Sequence, residues 1–277
     1  MQTVMNDTQV HHSRENSRLR ALIRFNALLF YGVATASFLE AAAPIGAGRV
    51  AQAVMGAPDA AHWLDEVWRP QRSARAQALR AYIDLVWPEF DWAAAYEDFR
   101  KLYAQRHGYA AALANPALEV LACCALESQA ALFYRAIAAG ADDPALRELA
   151  NAAAREHCAC LEAFRALFEQ RARRQAVGFI TGCRVVLASA RAARDIDVAA
   201  AFRPLTGHWY GTPTITGLQY QEFLSRMARL IQKQAGLGCF ERLLFSPWLK
   251  RARPALLPEG TGPDAEGRNS QWLLKAA

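Results

Sequence analysis

Three features of the chain predict an all-α fold. Alanine, the strongest helix former, fills most segments. No run alternates apolar and polar positions with the β-branched residues that strands favour. Two dipeptides, Asn115-Pro116 and Asp143-Pro144, each set a capping side chain directly before a proline at the first helical position. At 277 residues and 53% apolar composition the chain carries a sizeable core, which excludes disorder throughout.

The elements follow in order. Residues 1–15 are polar and read as a flexible leader. A first helix over 16–42 contains the uncharged run from Phe25 to Leu39. That run starts too late for a signal peptide and meets Glu40 where cleavage would fall, so it reads as a buried helix. Fifteen uncharged residues are also short for a membrane span. Further helices are predicted over 47–56, 70–87, 92–113, 116–139, 144–172, 174–193, 217–234 and 238–250. The segment 201–217, with two prolines, three glycines and Trp209-Tyr210, reads as a long connection. These helices form a single domain over 16–252, with a core around 115–235 and additional N-terminal helices. A Pro- and Gly-rich tail over 253–277 follows.

Residues 115–172 carry the sharpest signal. Gly140 ends one helix and Asp143 opens the next, so the two form an antiparallel hairpin. On the first helix Val120, Cys123, Glu127, Ala131 and Tyr134 share a stripe. On the second, Leu146, Leu149, Ala153, His157, Cys160, Phe164 and Leu167 do so. Glu127 and His157 lie thirteen and fourteen residues from the turn, each about 20 Å away at 1.5 Å per residue, hence at one level. Cys123 and Cys160 form the next layer. A carboxylate in an apolar core needs a partner. The partner is either His157, or an arginine such as Arg184, or else the pair forms part of a metal or catalytic site.

The stretch from Glu127 to Tyr134, the segment Asp142–Ala150 and Arg155-Glu156-His157 resemble the first helix pair of ferritin-like proteins, rubrerythrins especially. The resemblance implies a ferritin-like bundle. In that family a Glu on the first helix and a Glu-x-x-His on the second hold half of a di-iron centre, and a second helix pair repeats the set. It implies metal ligation by Glu127 and His157, with Glu156 or Cys160 completing part of the sphere. Ala154 stands where the Glu of Glu-x-x-His belongs. Tyr134 would line the pocket or carry a radical or proton. No second Glu-x-x-His follows, so further ligands would come from the N-terminal helices, with Glu40 and His107 as candidates.

Other chemistries are poorly represented. The net charge of +6 comes from 28 Arg and 4 Lys scattered along the chain rather than gathered in a stripe, which speaks against nucleic-acid binding. There is no phosphate loop, nucleophile elbow or zinc-finger spacing among the six cysteines. Residues 238–251 mix large apolar side chains with a basic end and suit a peripheral membrane contact or docking on the bundle. Reduced thiols and a cytoplasmic location are expected; the sequence does not set the oligomeric state, and the ferritin-like resemblance makes a homodimer one candidate because such bundles frequently pair. The function expected is a metal-dependent oxidoreductase or oxygenase, with iron as the cofactor. The alternative is a metal-free helical bundle that binds a ligand or another protein.

Overall fold

A computed structural model describes residues 22–107, 115–215 and 217–234. The leader, the tail and the segment 238–251 lie outside the described residues. Those described are helical, with no strand among them. Phe90 and Trp209 form an isolated bridge that pins the 201–217 connection to the core.

Helix α1 (Ala27–Ala41) is capped by Asn26, whose side chain accepts from the Leu29 amide at 3.2 Å. Every residue from Leu29 to Phe38 is buried, so α1 is the central helix, mostly apolar, with Thr35, Ser37 and Glu40 as its buried polar residues. Pro44 cannot continue the α1 hydrogen-bond ladder. The chain turns by 45° into α2 (Ala43–Val54) with the proline in its first turn.

Helix α3 (Pro58–Trp63) continues through a π segment, Leu64–Trp68, into α4 (Arg69–Val86). The sequence places a helix start at residue 70, but the helix begins at Pro58. Pro70 lacks an amide proton, and widening the preceding turn lets the Arg69 amide bond Leu64 O instead of ending the helix. Helix α5 (Trp92–His107) then packs beside α1 through Phe38, Trp92 and Phe99.

The hairpin forms as the sequence predicts. Asn115 caps α6 (Pro116–Gly140) and Asp143 caps α7 (Pro144–Ala172), each side chain accepting an amide proton at 2.9 Å. Arg147 donates back to Ala141 O, and Tyr82 of α4 donates to Asp143, so the turn is tied to the rest of the bundle. Gly140 allows close approach: a Cβ there would meet Leu230 at 3.2 Å and Leu29 at 3.5 Å. By length and apolarity α6 is able to cross a membrane, but two thirds of that stretch is buried inside the bundle. Helix α8 (Phe179–Ala192) runs through a second π segment into α9 (Ala199–Phe202). Helix α10 (Tyr220–Gln234) closes over α6.

The closest helix partnerships are α6 with α7 and α1 with α4. Two apolar clusters fill the interior. One surrounds Phe30, Trp87, Phe99 and Phe202, and the other surrounds Leu64, Cys124, Phe164 and Phe168. The polar residues described next lie where helices of both clusters meet.

Candidate functional site

Each of four helices sends side chains to one buried level. Glu40 comes from the end of α1, Arg72 and Arg75 from α4, Glu127 and Tyr134 from α6, and His157 from α7. His157 is fully buried, and Glu40 and Glu127 are 3% and 4% exposed. Glu127 and His157 meet at the depth that their counts from the turn predict: His157 Nδ1 lies 2.5 Å from Glu127 Oε2. Its other nitrogen, Nε2, lies 2.9 Å from Glu40 Oε1.

The imidazole therefore bridges two carboxylates. It satisfies both only as the imidazolium, which donates from each nitrogen. Arg72 closes the far side. Its Nη1 donates to Glu127 Oε1 at 3.4 Å, and its Nε lies 3.2 Å from Glu40 Oε2 with the N–H turned off that oxygen. Glu40, His157, Glu127 and Arg72 thus form a ring of alternating charge. Each carboxylate divides its two oxygens between the imidazolium and the guanidinium.

Further donors lock the ring. Trp68 Nε1 donates to Glu127 Oε1 at 2.9 Å, and Arg72 lies over the Trp68 ring at 5.0 Å. Tyr134 donates its hydroxyl to Glu40 Oε1 at 3.0 Å and stacks on the His157 ring. Arg75 donates to Glu40 Oε2 at 3.2 Å and to Glu156 Oε2 at 2.5 Å. Three cations face three carboxylates, Glu156 being the one that reaches solvent.

Titration follows this geometry. Burial alone would raise the Glu40 carboxyl, but Arg72, His157 and Arg75 outweigh it and hold the group well below the usual carboxylate range. Glu127 is lowered against its burial by His157, Arg72 and the Trp68 hydrogen bond. Burial would depress His157, yet Glu127 and Glu40 together raise it above its ordinary 6.5. Burial and the adjacent Glu40 push the Tyr134 phenol well up. Burial, with Glu127 next, pushes the Cys160 thiol up to about 12, so it stays protonated.

The residues singled out from sequence separate into two groups. Glu127, His157 and Tyr134 meet, and Glu40 joins them. Glu156 reaches the ring only through Arg75, because it lies one position around α7 from His157. Cys160, one turn on, turns its thiol to Gln71 Oε1 at 4.0 Å. Arg184 is exposed on α8, whose buried face is Gly182 and Val186, so Arg72 and not Arg184 is the cation at Glu127. His107 lies at the last position of α5.

Arg72, Arg75 and Trp68 reach the site from a stripe that the sequence also carries. Positions 68, 72, 75, 79, 82 and 86 follow four/three spacing, and two arginines inside an otherwise apolar stripe are a mark of buried cations.

As a donor set, Glu40, Glu127 and His157 do not converge on a point. The carboxylates sit at opposite edges of the imidazole, and guanidinium groups occupy their remaining oxygens. Among the described residues no three His, Cys, Asp or Glu side chains are arranged to hold a metal ion. No family model, no curated protein and no solved structure matches the chain.

Proposed function

We propose that this protein is a metal-free helical bundle of ferritin-like plan that works by binding rather than by iron chemistry. The observation that carries this reading is the closed ring. Both imidazole nitrogens and all four oxygens of Glu40 and Glu127 face partners within the protein.

The positions support the ferritin-like plan. In di-iron carboxylate bundles two helices each give one Glu and the other two each give a Glu-x-x-His. Here α1 and α6 give Glu40 and Glu127. Helix α7 gives Ala154-x-x-His157, and α4 gives Arg72-x-x-Arg75. Both Glu-x-x-His positions are altered, and the α4 pair brings two fixed positive charges. The charge that iron would supply is supplied by guanidinium groups that cannot leave or change oxidation state.

A metal-dependent oxidoreductase is the second reading, favoured by two carboxylates and a histidine at one depth of four helices. It requires His157 to lose its proton and both arginines to withdraw. Elemental analysis separates the two, on tag-free protein made in iron-supplemented cells and reloaded anaerobically with ferrous iron. The metal-free reading predicts iron and manganese far below one ion per chain. Near-stoichiometric iron, lost in His157→Ala, would overturn it.

A further inference from the structure

Beside the ring, a cleft of about 440 Å³ opens to solvent between the α1–α2 corner, α4 and α5. Its size falls within the range of small-molecule sites. Glu40 is the member of the ring that lines it. Its two oxygens already accept from Tyr134, His157 and Arg75, with Arg72 alongside, so the floor presents a neutralised carboxylate.

The walls explain the space. Ala41, Ala43, Ala47 and Ala76 supply no more than a methyl group each and leave a narrow slot. Trp92 and Tyr96 also line the cleft, as a stacked pair with ring centroids 4.8 Å apart and planes 12° from parallel. Trp92 is fixed in that pose because its Nε1 donates to Ser37 Oγ at 2.9 Å. The aromatic wall is therefore preformed.

Two arginines line the cleft. Arg80 lies over the Trp92 ring at 4.6 Å, and Arg69 stands three turns away on the same face of α4. Their acidic partners are Asp84 at 3.7 Å and Asp65 at 3.3 Å, both exposed i,i+4 pairs. Such pairs are weak and solvent-screened, so a ligand carboxylate can replace them. A guanidinium already stacked on an indole loses little freedom when it takes up a carboxylate.

We propose that this cleft is a binding site for a small aromatic carboxylate. The ring of the ligand enters between the alanines and the Trp92–Tyr96 pair, and its carboxylate meets Arg80. This deepens the binding reading given above by naming the ligand class.

The test is isothermal titration of the full-length protein with phenylacetate, phenylacetamide and octanoate. The expected result is saturable one-to-one binding of phenylacetate, with the amide and the straight-chain acid each at least tenfold weaker. Arg80→Gln brings phenylacetate down to the level of the amide and leaves the amide unchanged. Ala76→Leu fills the slot and removes binding of both. If Ala76→Leu loses its helical circular dichroism, Ala41→Leu at the less buried end of the slot replaces it.

No heat with phenylacetate, equal binding of acid and amide, equal binding of octanoate, or indifference to Arg80→Gln would each overturn the proposal. The metal analysis fails separately. Iron in the ring would refute the metal-free reading whatever the titration shows, and an empty cleft would leave the metal content where it stands.

Discussion

The two helix pairs of this bundle make the same kind of contribution with different chemistry. The α6–α7 hairpin gives the ring a carboxylate and an imidazole, Glu127 and His157. The α1–α4 pair gives a carboxylate and two guanidinium groups, Glu40 with Arg72 and Arg75. One pair carries a cation that can give up its proton, held above its ordinary value by two carboxylates, and the other carries cations that never titrate in water. The difference teaches that the α1–α4 pair sets the charge of the site, and the hairpin makes that charge depend on pH.

The largest expected effect breaks the α1–α4 side. Glu40→Ala leaves Arg72, Arg75 and His157 facing one another without their shared carboxylate. Its cost is about 3–5 kcal/mol, the range for removing one partner of a buried ion pair. Urea denaturation checks it, and a loss under 1 kcal/mol would show that the network does not order the core. Arg75→Ala, which also frees Glu156 at the surface, is expected to fall just below Glu40→Ala in the same measurement.

The hairpin side is expected to be softer. His157→Gln keeps a donor for one carboxylate and takes the imidazole donor from the other, whose remaining partners stay, for a loss of about 1–3 kcal/mol. A loss as large as that of Glu40→Ala would erase the distinction between the two pairs. The exposed pair Arg155–Glu148, on the outer face of the same helix α7, supplies the lower bound: Arg155→Ala changes stability by at most about 1 kcal/mol.

The pH dependence sharpens the same comparison. His157 is raised in the folded state, so its contribution is complete below its unfolded value near 6.5 and declines as pH rises through the folded value. Glu40 and Glu127 are lowered, so their contribution is complete above the unfolded value of 4.5 and declines as pH falls toward the folded values. The ring therefore stabilises most between about pH 4.5 and 6.5. Thermal melts across this window check the shape. His157→Gln is expected to flatten the alkaline decline and keep the acid one, because Arg72 and Arg75 continue to hold Glu40.

The hairpin was legible because its information is local. Two caps, two prolines and one short turn fix the register, and counting from the turn puts Glu127 and His157 at one depth. The α1–α4 pair was not legible in the same way. Its helices are separated by a proline bend, α2, α3 and a π segment, so no count along the chain relates Glu40 to Arg72. The two arginines were hidden by composition as well. Among 28 arginines, those on an apolar stripe look like the solvated ones unless the stripe is read through Pro70. Glu40 was visible as the continuation of the stripe Leu29, Val33, Ala36, but the spacing alone did not distinguish an amphipathic edge from a buried acid.

The claim on which the rest depends is that His157 is an imidazolium held between two carboxylates. Long-range proton–nitrogen NMR of the imidazole side chains, assigned with His157→Gln and followed from pH 5 to 9, observes this directly. Both His157 nitrogens are expected to stay protonated through pH 6.5, with a proton lost at a midpoint above that value. A midpoint below 6.5, or a neutral ring with one bare nitrogen at pH 6, would contradict it and return His157 to the pool of available metal ligands.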